Sequence, residues 1–122
     1  MTEETQSWIR QQLDGAVRGF INSELFEEAL IEVKPSWALP LHILIGKVRE
    51  QGNPTTFRWF ICGKVPLDHI GAEAAITPRE VIRHFALKWQ LDAEQLEGDS
   101  ATMLIEHAES LYPLADDERL WD

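Results

Sequence analysis

Cys62, the neighbours Asp68 and His69, the Glu80/His84 pair and the cations Arg79, Arg83 and Lys88 are the side chains whose type and spacing could do chemistry here. A cysteine becomes a nucleophile when a nearby base or cation lowers its pKa. Nothing in the sequence positions a base at Cys62, so a buried structural thiol is the plainer reading. Asp68 and His69 fall in "KVPLDHIGAEAA", read as a loop, where functional residues concentrate. Adjacent residues point apart, however, which argues against a catalytic dyad. Glu80 and His84, at i and i+4, have the spacing of a shared metal, but the same spacing is common on solvent-facing helices. His42, His69, His84 and His107 match no metal-ligand pattern, and there is no glycine-rich phosphate loop. No metal and no cofactor is therefore expected. Arg79, Arg83 and Lys88 could seat an anion; pairing with the chain's own acids is the simpler expectation.

The elements that position these residues follow from hydrophobic spacing. Ile9, Leu13, Ala16, Val17 and Phe20 form one apolar stripe, which predicts a helix over residues 3–21. Three strand-like runs follow. "FEEALIEVK" alternates, with Ala29, Ile31 and Val33 apolar; "ALPLHILIGKV" and "TTFRWFICG" are apolar on both parities. "REQGNPTT", between the last two, has the composition of a hairpin turn. Short links favour an antiparallel meander whose odd-parity face takes the helices. On the even-parity face, Leu30, His42, Leu44, Val48, Phe60 and Cys62 are too apolar for open solvent and call for cover, by this chain or by a second copy.

Thr77-Pro78-Arg79-Glu80 is a capping box with proline at the first helical position. In the helix it starts, Val81, Ile82, Phe85, Ala86 and Trp89 share a stripe expected to bury against the sheet. Arg83, Leu87 and Leu91 lie behind it, and the leucine pair needs cover, which the next helix is expected to supply. A further helix begins at Asp99 or Ser100, carries Leu104, Ile105, Ala108, Leu111 and Tyr112, and is expected to end before Pro113.

Composition sets the outer limits. The chain has 122 residues, 44% of them hydrophobic and 26% charged, which suits one folded domain and excludes a disordered chain. The net charge of −10 is uneven: from Asp92 onward ten acids face one base, Arg119. Nucleic acids and anionic membranes require basic clusters, so neither is an expected partner. The acidic, polar start lacks the basic and apolar regions of a secretory signal, so none is expected there, and the longest apolar run is too short to span a bilayer. A single cysteine cannot form an internal disulfide, which suits the reducing cytoplasm. The acidic tail closes on Leu120 and Trp121, an apolar anchor expected to dock.

"REVIRHFALKWQLDAEQL" and "AESLYPLADDERLW" resemble a family of small bacterial proteins described only as a domain of unknown function. The resemblance rests on Arg79, Glu80, Ile82 to Phe85, Leu87, Trp89 to Leu91, Leu111, Tyr112, Leu120 and Trp121. "SWIRQQL", Ser7 to Leu13, is similar to that family's first helix, whereas Val81, Ala86 and Lys88 depart from its pattern. No activity or functional residue is carried over from it.

These readings converge on one α+β globular domain, residues 1–122, with an acidic C-terminal segment. It comprises an N-terminal helix, a three-stranded antiparallel β-meander, then two or three C-terminal helices packed on the sheet. The expected role is a non-catalytic cytoplasmic binding or adaptor domain acting as a homodimer, with a protein partner. Leu44, Phe60, Arg83, Leu87, Leu91 and Trp121 are the candidate interaction surface. The alternative is a small enzyme or metal-binding protein using Cys62 or the Asp68/His69 loop.

Overall fold

The computed structural model describes residues 2–26, 30–53 and 56–121, so Ala29 of the first strand-like run lies outside the described residues. The chain is α+β: helix α1 (Glu3–Asn22), strands β1 (Ile31–Leu39), β2 (Ile43–Glu50), β3 (Arg58–Gly63) and β4 (Asp68–Gly71), then helices α2 (Pro78–Ala93) and α3 (Gly98–Asp116). It divides into two compact units, residues 1–72 and 73–122.

In the first unit the strands form an antiparallel meander in the order β1-β2-β3-β4. The sheet thus has four strands, not three. The run "ALPLHILIGKV" is divided: Ala38 and Leu39 end β1, and β2 begins at Ile43. Pro40 fixes the turn between them, Leu41 takes φ +65°, and the His42 N–H closes it on the Leu39 carbonyl at 3.0 Å. This is the left-handed third position of a type II turn, usually glycine. His42 is consequently exposed in the turn and does not sit half-buried on a central strand. The segment expected to be a loop supplies the fourth strand, in which Ile70 is buried opposite Trp59.

The even-parity face of the sheet finds its cover within the unit. Ala16 and Phe20 of α1 pack against Leu44, Val48, Phe60 and Cys62, with Trp8, Ile9 and Leu13 at the margin. The Phe20 ring meets Phe60 edge-on, centroids 5.6 Å apart, a favoured aromatic arrangement. α1 therefore covers the face that looked in need of a partner. Leu30 is not part of it and is exposed. Gly46 stands opposite Phe60 in the ladder and makes room for its ring; a Cβ there would lie 2.6 Å from that ring and 2.6 Å from the Lys34 carbonyl oxygen. β1 is an edge strand interrupted by Pro35 and an irregularity between Pro35 and Trp37, features that discourage edge-to-edge association.

In the second unit α2 starts as expected. Thr77 Oγ1 accepts the Glu80 N–H at 3.3 Å and donates to the Glu80 carboxylate at 3.2 Å. Val81, Ile82, Phe85, Ala86, Trp89 and Ala93 are buried. Arg79, at the start of α2, meets Ala115 at the end of α3, and Trp89 lies edge-on to His107. The helices therefore run antiparallel. Pro113 does not end α3, which continues to Asp116. Proline in a helix interior removes one backbone donor, here at the solvent-facing side of the last turn. Among the described residues no helix is long and apolar enough to cross a membrane.

Candidate interaction surface

The back of α2 is open. Arg83 is exposed, and Leu87 and Leu91 each keep 53% of their surface in solvent. The cover expected from α3 does not reach these two leucines, because α3 approaches the flank of α2 that carries Arg79 and Gln90. Four residues apart, Arg83, Leu87 and Leu91 share one face of the helix. Glu94, the exposed cap residue, keeps helical backbone angles and prolongs that face by another turn.

Each side of this stripe is fixed. On one flank Lys88 pairs with Asp92 at 2.7 Å across one helical turn. On the other the Tyr112 hydroxyl donates to the Gln90 side-chain carbonyl at 2.9 Å, which brings the partly exposed Tyr112 ring beside α2. Of the three cations expected to meet the chain's own acids, Arg79 and Lys88 do so in ion pairs. Arg83 feels Glu118 at longer range. Sequence reasoning missed Glu94; its distance of eleven residues from Arg83, three helical turns, is the signal that identifies it.

Trp121, also named from sequence, is docked. Its indole N–H donates to the Leu114 carbonyl at 2.9 Å and the side chain is half-buried. Glu118 holds Arg79 at 2.8 Å, and Asp117 holds Arg119 at 2.9 Å. The tail thus folds back on its own unit. Leu44 and Phe60, by contrast, are completely buried beneath α1. They belong to the interior of the first unit and offer no surface, a correction to their place in the candidate set.

The residues considered for catalysis are engaged elsewhere. Burial pushes the Cys62 thiol up to about 12, the opposite direction from that of a nucleophile. The Asp68 carboxylate accepts the His69 backbone N–H at 2.8 Å. His69 Nδ1 accepts from Arg58 Nε at 2.9 Å, and its ring lies edge-on to Phe20. Glu80 is bonded to Thr77. Among the described residues no three histidine, cysteine or carboxylate side chains group as they would around a metal.

Neither a curated protein nor a solved structure matches the chain. A family model does, and it runs through both units from residue 2 to residue 121. The capped α2, its open back and the docked tail all fall inside the matched span, and the chain belongs to the family described as Domain of unknown function (DUF4826).

Proposed function

We propose that this is a non-catalytic binding or adaptor domain of the cytoplasm that works as a homodimer, with the back of α2 shared between two copies. The observation that carries the reading is the order Arg83, Leu87, Leu91, Glu94 on one exposed helix face. Run antiparallel against itself, that order is self-complementary. A two-fold axis crossing the exposed face of α2 midway between Leu87 and Leu91 sets Leu87 against the second copy's Leu91 and Arg83 against its Glu94. Two-fold dimers require such a patch, identical on both subunits and complementary to itself. Tyr112 enlarges the apolar part. The two units act together as one domain in this reading, supported by a single family model spanning both.

Sedimentation equilibrium of the full chain tests it. The expected result is a dimer at micromolar concentration that Leu87→Asp converts to monomer without loss of helical signal. Arg83→Glu and Glu94→Arg should each weaken association by about tenfold, or about 1.4 kcal/mol. The double charge swap should restore it. A monomer at every accessible concentration, or a dimer indifferent to all four changes, rejects the proposal.

A further inference from the structure

A groove of about 540 Å³ opens on the sheet of the first unit, lined by Glu32, Val33, Lys34, Lys47, Arg49 and Phe57. It lies in a different unit from the α2 surface and does not depend on dimerisation. The strand register explains its chemistry. Lys34 of β1 stands directly opposite Lys47 of β2, and Glu32 directly opposite Arg49. The second pair neutralises itself: Arg49 donates through Nε and Nη2 to one Glu32 oxygen at 2.9 and 2.7 Å. The first pair does not. Like charges directly opposite on neighbouring strands are destabilising, yet among the described residues neither lysine has an acid within ion-pair distance. This occurs in a chain with 21 acids against 11 bases.

Lys47 is also held in place. Its ammonium lies 4.6 Å from the Phe57 ring centroid and 4.9 Å from that of Trp59, within reach of a cation–π attraction. Two aromatic rings thus fix one ammonium at the groove, and the register sets a second lysine opposite it in the groove lining. Lysines act as point charges suited to phosphate. The pair carries two positive charges, the complement of a phosphate monoester near neutral pH. The space exceeds what a phosphate needs and falls within the range of small-molecule sites, roughly 300–1,000 Å³. It leaves room for an organic group along the partly exposed Phe57.

We infer that this groove binds a small phosphate monoester, with Lys34 and Lys47 on the phosphate and Phe57 beside the organic part. Phenyl phosphate and inorganic phosphate are the probes, followed by amide chemical shifts of the full chain. Saturable shifts are expected at residues 32–34, 47–49 and 57, with phenyl phosphate binding at least about threefold more tightly than inorganic phosphate. Lys34→Gln should weaken phenyl phosphate by about tenfold, roughly 1.4 kcal/mol, and Lys47→Gln at least as much. Lys64→Gln should leave it unchanged. Lys34 is exposed, so its variant tests charge without disturbing the fold, which circular dichroism verifies. Absence of saturable shifts up to about 20 mM, weaker than most metabolite sites, overturns the inference. Shifts equal for phenyl phosphate and uncharged phenol, or insensitive to both lysine variants, overturn it as well.

Discussion

Arg79 in the first turn of α2 donates through Nε to the carbonyl of Ala115, 36 residues away, at 2.7 Å. That carbonyl belongs to the last turn of α3, where backbone acceptors lack intrahelical partners and the helix dipole favours a cation. The same guanidinium holds Glu118 at 2.8 Å. One side chain therefore ties the start of α2 to the end of α3 and to the tail.

Arg79→Met, which keeps most of the stem, should lower the melting temperature by a few degrees, and Glu118→Gln by less. The pH dependence has a defined sign. The hydrogen bond from Arg79 holds the Glu118 carboxyl below its ordinary value of 4.5. The unfolded chain thus takes up this proton at higher pH than the folded one, and the stabilisation is present above about pH 4.5 and lost as pH falls through the depressed folded value. Thermal melts at neutral pH should separate wild type from Glu118→Gln. The difference should shrink below pH 4.5 and close in stronger acid.

The Trp121 indole N–H donates to the Leu114 carbonyl, and its ring is half-buried. Trp121→Phe keeps most of the ring and removes the donor, so urea unfolding should show a loss of about 0.5–1.5 kcal/mol. Deleting residues 120–122 should cost more. Asp116→Asn should change little, because Asp116 is exposed and exposed charge pairs contribute only about 0–1 kcal/mol.

Gly46→Ala places a methyl 2.6 Å from both the Phe60 ring and the Lys34 carbonyl oxygen. The backbone oxygen cannot step aside, and Phe60 is fully buried under α1. Overpacking of this kind should cost about 1–3 kcal/mol in urea unfolding. Gly46→Ala combined with Phe60→Leu should recover part of that cost; a loss equal to the sum of the two single variants would show that the backbone contact alone matters.

Cys62 should resist alkylation in the folded protein. With its thiol pushed up to about 12, roughly one molecule in ten thousand is ionised at pH 8, and thiolate is the reactive form. Iodoacetamide should modify it at a negligible rate until denaturant is added, then at the rate of an ordinary cysteine. Rapid labelling of the native state would place the thiol in a different environment from the one beneath α1.

The helices and most of the strands are legible along the chain because their signals are local. The Thr77–Glu80 box needs only four residues to start α2. The stripe from Ile9 to Phe20 needs only helical spacing, as the buried Ala16 and Phe20 bear out. That Arg83, Leu87 and Leu91 lie on the side of α2 away from its buried stripe was legible for the same reason, whereas their exposure was decided by where α3 packs. Which surfaces meet is settled by long-range packing. Leu44 and Phe60 read as an apolar face in need of cover, and periodicity cannot say whether α1 or another molecule supplies it; packing gave them to α1. Asp68–Gly71 is too short and polar to declare itself a strand, yet β3 leaves an edge whose backbone groups it satisfies. Pro113 would end an isolated helix, but the last turn of α3 is held by Arg79 on the Ala115 carbonyl. The opposition of Lys34 and Lys47, thirteen residues apart in the chain, is a property of register, set by how β1 and β2 pair across the Pro40–Leu41 turn. Side-chain spacing along a single segment carries no record of that pairing.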